Sequence, residues 1–471
     1  MSELSTPFRE RAANALGDRF LQQALTIATT KFIDLRREAF EAFPEGEALR
    51  DRAREIKEAT LQRLDHYLEQ LIDNVERLGG RVHYADTAED ARRIILDIAR
   101  RTGARLAVKS KSMATEEIDL NEVLLHAGVT PVETDLGEYI IQLAHERPSH
   151  IIAPAIHKTK EQVAELFARE LKRPVAADPE VLTRIARGEL RQKFLEADLG
   201  ITGANFAVAS TGTVVLVTNE GNGRMVTSLP RVHVAVMGVE KVVPSMSDLV
   251  VFLAILAKSA TGQKLSSYTT LVRGPRPAAE LEGPEEFHLV LLDNGRVKQL
   301  AGTLREALSC LRCGACLNVC PVYRQIGGHA YGYTYPGPIG ILLTAMLHGN
   351  GAVKDLAHAS SLCGACAEAC PVKIDIPRML IELRKDNVEH AVAPGSERLV
   401  FRIFARLLTM PGLFRLVVPV ARVLQRPFAR DGAIRRLPLF FGEWTRSRDL
   451  PAVAGRTFSE RWAELERERR S

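Results

Sequence analysis

Cysteine is absent from the first 309 residues of this 471-residue chain and from its last 101. All seven cysteines therefore lie between Cys310 and Cys370. A disulfide framework would spread its cysteines along the chain and would suit an oxidising compartment. Seven thiols within one short stretch indicate a metal site instead.

The sequence also lacks an uninterrupted apolar run of the ~18 residues that a membrane span needs. Leu249–Ala257 ends at Lys258, and four arginines interrupt 399–424. The first residues, Met1–Arg11, contain two acids and no apolar core of a secretory signal. These absences predict a cytoplasmic protein.

Fingerprints for nucleotide cofactors are missing as well. No G-x-G-x-x-G motif follows a predicted strand, and no G-x-x-x-x-G-K-[ST] motif occurs. Gly221-Asn-Gly223 lacks a third glycine at the required place. The sequence therefore carries no signal for flavin, nicotinamide or nucleotide binding.

Four regions differ in composition and periodicity. Residues 1–80 form a predicted helical region, where apolar side chains over 61–78 recur at steps of three and four. Residues 81–295 have α/β character, residues 296–390 hold the cysteines on short helical pieces, and residues 391–471 form a tail. The tail contains 16 Arg, no Lys and 8 acids, a net charge of +8, whereas the whole chain has +5.

The α/β region alternates short apolar runs with helical segments, which is typical of a mostly parallel sheet covered by helices. Arg81–Ala85 is interpreted as a strand and Thr87 as the cap of the helix that follows. A hairpin is predicted over 206–217, turning near Ser210–Gly212. The apolar run His150–Pro154 is interpreted as a further strand.

Two cysteine runs carry the chemistry. The first is Cys310-x2-Cys313-x2-Cys316-x3-Cys320-Pro321, and it recurs fifty residues later as Ser360-x2-Cys363-x2-Cys366-x3-Cys370-Pro371. This is the spacing of bacterial ferredoxins, in which the fourth cysteine of a run ligates the other cluster. It predicts two iron–sulfur clusters. Zinc is the alternative, but four-ligand zinc sites use C-x2-C pairs and do not need such runs.

The ferredoxin pattern assigns a ligand set to each cluster. Cluster 1 receives Cys310, Cys313, Cys316 and Cys370, and cluster 2 receives Cys320, Cys363 and Cys366.

The second set is one cysteine short, because position 360 is a serine. Three outcomes stay open: Ser360 is a weak oxygen ligand, a non-protein ligand completes a [4Fe-4S] cluster, or the site holds a [3Fe-4S] cluster.

At these motifs the chain resembles a known family, the iron–sulfur protein B of the bacterial lactate-utilization system, one of a set of three proteins A, B and C. Long ordered motifs that cover nearly the whole chain carry the resemblance. They are Val108–Met113, Glu133–Glu138, His150–Lys158, Thr202–Thr213, Leu311–Tyr323, Gly327–Gly332, Tyr335–Gly340 and Ser360–Pro377.

The resemblance implies a fold, an activity and partners. The α/β region is similar to the lactate-utilization domain, itself like the sheets of ribose-5-phosphate isomerase and CoA-transferases. The cysteine region resembles helical double-cluster ferredoxin modules. The assembly is expected to oxidise L-lactate to pyruvate, with this chain carrying electrons and with proteins A and C, or equivalent redox subunits, as partners.

Polar residues after two predicted strands are weaker candidates. Lys109, Lys111 and Ser112 follow one strand end, where α/β folds bind ligands, and 220–223 follows another. An anionic ligand and a solvated loop both fit this pattern. Four histidines suit acid–base chemistry, but no spacing joins any two of them, and no catalytic residue is assigned. They are His145, His150, His157 and His329.

Tyrosines and the tail suggest contacts rather than chemistry. Four of the eight tyrosines lie between Tyr323 and Tyr335 and are predicted to cover the clusters. The tail alternates apolar residues with Arg402 and Arg406, a pattern that suits packing on a subunit or within the chain and, secondarily, an anionic membrane surface. No motif supports nucleic-acid binding.

Three functions therefore compete. The first is an electron-transfer subunit of a lactate-oxidising complex. The second is an oxidoreductase that binds lactate by itself, and the third is a redox-sensing or assembly protein.

Overall fold

The computed structural model describes residues 6–390, 392, 395–437, 442, 445, 446 and 448–470. The chain forms two compact units, 1–392 and 393–471. In chain order the strands are β1 (Arg81–Ala85), β2 (Leu106–Lys109), β3 (Thr130–Glu133), β4 (Leu199–Gly203), β5 (Phe206–Val208), β6 (Thr213–Thr218), β7 (Val232–Gly238), β8 (Val242–Val243), β9 (Tyr268–Val272), β10 (Glu286–Leu292), β11 (Ala429–Arg430), β12 (Ala433–Ile434) and β13 (Leu450–Pro451).

The helices of the first unit are α1 (Phe8–Gly17), α2 (Arg19–Glu41), α3 (Gly46–Gln62), α4 (Leu64–Arg77), α5 (Ala88–Thr102), α6 (Met113–Glu117), α7 (Leu120–His126), α8 (Leu136–Leu143), α9 (Lys160–Leu171), α10 (Pro179–Glu196), α11 (Asn222–Ser228), α12 (Met246–Thr261), α13 (Ala315–Asn318), α14 (Tyr323–Ile326), α15 (Gly337–His348), α16 (Ala365–Ala369) and α17 (Ile376–Glu389). Those of the second unit are α18 (Gly395–Thr409), α19 (Pro411–Leu424) and α20 (Phe458–Arg470).

A parallel six-stranded sheet forms the centre of the first unit, in the order β1-β10-β7-β4-β2-β3. Its middle strands are buried along their length, as in β7 from Val232 to Gly238, because helices cover both faces. From β2 the chain runs to β3, which lies beside it at the edge of the sheet. The next strand of this sheet, β4, lies on the opposite side of β2. The chain therefore changes direction between β2 and β4, and the carboxyl ends of these strands flank a crevice.

The predicted start of α5 is confirmed. The Thr87 hydroxyl accepts a hydrogen bond from the Asp90 N–H at 3.1 Å, and Gly103 ends the helix in a left-handed conformation. The buried face of α5 packs on the sheet through Ala91, Ile95 and Ile98.

A second sheet of four strands, in the order β8-β5-β6-β9, carries the predicted hairpin. β5 and β6 pair antiparallel, and Gly212 at the turn has φ +67°. A side chain there would lie 2.8 Å from the backbone of α4, so the turn requires glycine for both conformation and space.

Two local predictions differ from the structure. The apolar stripe over 61–78 does not lie on one helix, because Arg63 leaves the helical conformation and separates α3 from α4. The segment His150–Pro154 is a buried loop and not a strand. The His150 ring accepts the N–H groups of Ile152 and Ala153, both at 3.2 Å, and this local capping replaces strand pairing.

The cysteine region is helical, as predicted, and shares its core with the N-terminal helices. Leu25 of α2 and Ile56 of α3 belong to the same apolar cluster as Cys310, Cys370 and the apolar side chains of α15, which lies between the two cysteines in the chain. The predicted α/β domain followed by a double-cluster ferredoxin-like region is therefore the observed architecture.

In the second unit, α18 and α19 meet at a bend of 108°. No single helix among the described residues is long and apolar enough to cross a membrane, although Arg398–Thr409 and Pro411–Leu424 reach that hydropathy as a pair.

Candidate metal centre

The two cysteine runs repeat the same backbone geometry. The second residue after the first ligand position is left-handed in both, Arg312 at φ +62° and Leu362 at φ +56°. Gly314 and Gly364, at φ +77° and +87°, then begin the short helices α13 and α16. The two runs therefore share one local backbone conformation around their ligand positions.

The four cysteines predicted for cluster 1 line one small cavity. Cys310, Cys313, Cys316 and Cys370 all face it, together with Arg312 and apolar side chains from α15 and α17. Each of the four is less than 10% exposed. The structure therefore brings together residues that are up to sixty positions apart in the sequence.

The cysteines predicted for cluster 2 also approach one another. Cys366 interacts electrostatically with Cys320 and Cys363, and Cys320 with Cys363. Cys320 and Cys366 are buried, whereas Cys363 is exposed. This second set lies nearer to solvent than the first.

Burial, and secondarily the neighbouring cysteines, disfavours ionisation of the buried thiols. Burial, reinforced by Cys370 and Cys310, raises the pKa of Cys313 to about 12. Burial and Cys320 raise the pKa of Cys366 to about 12. A bound metal core would reverse this, because coordinated thiols are deprotonated.

The described cysteine sulfurs are not arranged as the ligands of one zinc ion. No three of them all lie within 4.8 Å of one another, whereas tetrahedral zinc with Zn–S bonds of about 2.3 Å would hold its sulfurs about 3.8 Å apart. Four buried thiols that line one cavity are the donor set that a [4Fe-4S] cluster takes, so the residues present fit such a cluster.

Ser360 occupies the position in the second run that Cys310 occupies in the first. The Ser360 Oγ accepts the Leu362 N–H at 3.2 Å, and the Cys310 Sγ accepts the Arg312 N–H at 3.4 Å. The Ser360 carbonyl accepts a hydrogen bond from the Arg384 Nη2 at 3.1 Å.

The two cysteine sets lie next to each other. Helix α13, which carries Cys316 of the first set, packs against α16, which carries Cys366 of the second. The charge of Cys366 also disfavours ionisation of Cys316. Adjacent sets of this kind are typical of two-cluster ferredoxins, whose runs exchange ligands.

Cations from distant parts of the chain lie near the cysteines predicted for cluster 1, and sequence reasoning missed them. Arg50 of α3 donates to the Cys370 carbonyl at 2.7 Å, and Lys241 donates to the Cys310 carbonyl at 2.9 Å. Arg36 of α2 interacts electrostatically with Cys313 and Cys370. No sequence motif links these residues to the cysteines, because only the packing of α2 and α3 brings them near.

Three of the four tyrosines predicted to cover the clusters are buried, whereas Tyr333 is half-buried. Tyr323, Tyr331 and Tyr335 are almost fully buried, and Tyr331 interacts electrostatically with Cys320 and Cys316. The Tyr335 ring lies 5.0 Å from the Arg312 guanidinium, and its hydroxyl donates to Glu117 at 2.8 Å.

A cleft of about 1500 Å³ opens at the carboxyl ends of β2, β4 and β7. Lys111, Ser112 and Glu220 line it, as predicted from their positions after strand ends. Burial and Asp135 raise the pKa of Glu220 to about 7. Lys109 instead points into the protein, where its Nζ lies 2.5 Å from a Glu133 carboxylate oxygen.

The structure joins two of the four candidate histidines. His157 and His329 have ring centroids 4.5 Å apart, and Glu146 lies 2.6 Å from the His157 Nε2. These three side chains are close enough to hold a metal ion, although Lys158 already pairs with Glu146 at 2.6 Å. His150 is buried and its ring caps the backbone of the following loop, which agrees with assigning it no catalytic role.

Comparisons with known proteins cover the same regions. Family models match as LUD domain over residues 68–292, as 4Fe-4S dicluster domain over 306–374, and as lactate utilisation protein B, C-terminal, over 385–467. A solved DUF162 family protein from Deinococcus radiodurans aligns with 49% of this chain and 98% of its own, at 14% identity and a TM-score of 0.26.

Curated relatives align over almost the full length. Lactate utilization protein B from Bacillus velezensis is 46% identical over 98% of both chains, and that from Bacillus subtilis is 46% identical over 98% of this chain and 97% of its own. Lactate utilization protein B from an Exiguobacterium strain is 49% identical over 95% of both chains. The chain, with its iron–sulfur dicluster region, therefore belongs to the lactate utilization protein B family.

Proposed function

We propose that this protein is the electron-carrying subunit of a complex that oxidises L-lactate to pyruvate. The observation that supports it best is the packing of α13 against α16, which brings Cys316 of the first set near Cys366 of the second. Oxidation of lactate releases two electrons and two protons, and two adjacent one-electron centres can take the pair one electron at a time.

The proposed ligands are those that the ferredoxin pattern assigns. Cys310, Cys313, Cys316 and Cys370 hold a [4Fe-4S] cluster. Cys320, Cys363 and Cys366 hold a second one, whose fourth ligand is the Ser360 oxygen. The repeated hydrogen bond at Ser360 and at Cys310 supports this fourth position.

The two cysteine sets differ in burial, and this difference supports a direction for electron transfer. Cys313 of the first set lines both the cleft and the small cavity of that set. In the second set Cys363 is exposed. We propose that the first set would hold the cluster nearer to the electron donor, and the second set the cluster nearer to a partner, either protein A, protein C or an equivalent redox subunit.

Hydride-level chemistry falls to a partner in this proposal. The chain lacks a flavin or nicotinamide fingerprint, and a two-electron acceptor such as a flavin, on a subunit that faces the cleft of this chain, would accept from lactate first.

Four regions divide the work in the proposed organisation. Residues 1–80 pack over the cysteines of cluster 1, and residues 81–295 form the lactate-utilization domain. Residues 296–390 hold both clusters. Residues 391–471 attach the complex to a docking surface. We place the protein in the cytoplasm.

For the docking surface of the tail we propose an anionic membrane. Residues 398–430 contain seven arginines and no Asp, Glu or Lys. Phe401, Phe404 and Leu416 are each more than half exposed. Basic amphipathic helices of this kind bind anionic lipid surfaces without crossing the bilayer.

Metal analysis and paramagnetic resonance of anaerobically purified protein test the clusters. Two [4Fe-4S] clusters give about eight irons and eight sulfides per chain and a reduced-state signal. About seven irons with an oxidised three-iron signal would place a [3Fe-4S] cluster in the second site. Zinc in place of iron would contradict the proposal.

Electron transfer is tested by adding L-lactate with and without proteins A and C. Reduction of both clusters only when the partners are present is expected. Turnover of lactate by the isolated chain with an artificial acceptor would favour the second candidate, a self-sufficient oxidoreductase, which the proximity of the cleft to cluster 1 supports. Clusters that stay oxidised with all partners present would indicate a sensing or assembly role.

A further inference from the structure

The cleft lies where parallel α/β sheets bind ligands. Residues at the ends of three neighbouring strands line it: 110–112 after β2, 203–205 at the end of β4, and Gly238, Glu240 and Lys241 at the end of β7. β2 and β4 are the strands between which the chain changes direction, and crevices at this point are the usual ligand sites of open parallel sheets.

One end of the cleft is formed by the first cysteine run. Leu311, Arg312 and Cys313 line both the cleft and the cavity enclosed by the cluster 1 cysteines. This segment therefore borders both spaces. A ligand at this end would contact residues that surround cluster 1.

Cations outnumber carboxylates at this end. Glu240 is shared by two arginines, with its oxygens 2.8 Å from the Arg296 Nε and 3.3 Å from the Arg312 Nη2. Arg296 has a second partner in Glu117 at 2.7 Å. Lys241 is the third basic group, and its Nζ donates to the Cys310 carbonyl at 2.9 Å. A bound anion would offset this crowding of positive charge.

Arg312 retains a donor without an acceptor among the described residues. Its side chain is 10% exposed, and its buried Nη1 donates to none of them. The guanidinium carbon lies 5.0 Å from the centre of the Tyr335 ring, which helps to fix its position. A buried, fixed guanidinium with such a donor is suited to binding a carboxylate.

We infer that this end of the cleft binds the carboxylate of a small 2-hydroxy or 2-oxo acid, with Arg312 as the residue that positions it. The choice of acid rests on the proposed function; the anion site itself rests on the geometry. Ile151 and Leu311 provide apolar surface beside Arg312 for a short aliphatic group. Exposed residues such as Lys160 lie at the open part of the cleft and leave a path for entry.

Binding is measured on the anaerobic holoprotein without partners, so that electron transfer does not enter. The probes are L-lactate and pyruvate, followed by calorimetry, with inorganic phosphate as a competing anion. We expect Arg312→Gln to weaken binding of both acids at least tenfold. Arg312→Lys should recover part of the affinity, because an ammonium keeps the charge but not the planar pair of donors. Lys160→Gln, which removes a cation from the exposed part of the same cleft, should change the dissociation constant less than twofold.

A measurement on the unaltered protein covers the case in which Arg312 variants lose iron. Lactate or pyruvate labelled with ¹³C in the carboxylate should give a ¹³C hyperfine coupling to reduced cluster 1 in pulsed electron–nuclear double resonance. Absence of this coupling at saturating ligand, or lack of binding, would overturn the inference.

Other outcomes separate this inference from the proposed function. If Arg312→Gln shifts the cluster 1 signal but leaves the dissociation constants unchanged, the donor serves the cluster and the inference is wrong. Displacement of both acids by phosphate at equal concentration would indicate a general anion site and would overturn the assignment to 2-hydroxy and 2-oxo acids. Binding of lactate without cluster reduction in the presence of partners would uphold the site and contradict electron transfer.

Discussion

The Ser360 hydroxyl accepts a hydrogen bond from the Leu362 N–H at 3.2 Å. The same bond joins Arg312 and the thiol of Cys310 in the first cysteine run. A serine therefore stands in a ligand position of an otherwise repeated site.

Replacing this serine tests its role directly. Ser360→Ala should lower the iron content from about eight to about seven per chain and give an oxidised three-iron signal, because the second site loses its fourth ligand. Ser360→Cys should keep about eight irons. Iron analysis and paramagnetic resonance are the measurements. An alanine variant with unchanged iron and spectrum would show that Ser360 is not a ligand.

The cations around cluster 1 should set its reduction potential. Arg36 interacts with Cys313 and Cys370, and its positive charge favours the reduced, more negative cluster. Arg36→Gln should lower the midpoint potential of cluster 1 by on the order of tens of millivolts. Redox titration monitored by paramagnetic resonance measures this shift. Arg37→Gln is the control, because the neighbouring Arg37 is 59% exposed and pairs with Asp34; an equal shift in both variants would contradict the argument.

Much of the fold could be predicted from local signals. The Thr87 cap, the glycine turn at 212 and the alternation of strands and helices are encoded within a few residues and appear as expected. The spacing of the cysteines also predicts which of them share a cluster, because ferredoxin runs carry their own pairing rule.

What could not be predicted depends on long-range packing. The cations at Arg36, Arg50 and Lys241 meet the cysteines only through the docking of separate elements. His150–Pro154 has the composition of a strand, but the His150 ring takes the backbone donors that a neighbouring strand would have used.

A tight contact between the α/β region and the cysteine region should be sensitive to a single methyl group. A Cβ at Gly328 would lie 1.9 Å from the Ser149 carbonyl oxygen, which also accepts the Tyr323 hydroxyl. Gly328→Ala should lower the free energy of unfolding by about 1–3 kcal/mol or more. Denaturant unfolding of the anaerobic protein measures it.

Gly188 offers the matched control for that substitution. It is an exposed residue within α10, and a methyl group added there would have no neighbouring atom within 4 Å. Gly188→Ala should raise stability by about 0.5–1 kcal/mol, because alanine is the better helix former. Equal destabilisation by both substitutions would mean that the contact at Ser149 is not the cause.

Mild acid should destabilise the protein through His150. Burial lowers the pKa of His150 to about 3. The unfolded chain binds a proton at this position below pH ~6.5, whereas the folded chain does not until pH ~3, so stability falls as the pH is lowered between these values. The loss at pH 5 should be about 2 kcal/mol. His150→Asn should flatten the dependence of unfolding free energy on pH between 7 and 5 by that amount, and an unchanged slope would contradict a neutral, buried His150.

The tail should bind vesicles that contain anionic lipid. We expect the protein to float with vesicles that contain phosphatidylglycerol and not with vesicles of phosphatidylcholine alone. The reason is that each arginine near an anionic surface contributes about 1 kcal/mol to the binding free energy. Phe401→Asp should reduce flotation strongly. Leu281→Asp should not, although Leu281 is the more exposed residue, at 91% against 60%. If the wild-type chain does not bind anionic vesicles but binds protein A or C through the tail, the tail is a subunit interface and the membrane proposal is wrong.

The bond between Arg50 and the Cys370 carbonyl spans 320 positions of the chain. During synthesis, α3 leaves the ribosome long before the last cluster 1 cysteine exists. The N-terminal helices that pack on the cysteine region can therefore take their final place only after residue 370 has emerged, and a cluster held by these cysteines would have to form before or during that closure. Assembly of such a metal centre would then be coupled to completion of the fold, and a chain truncated before Cys370 would lack both.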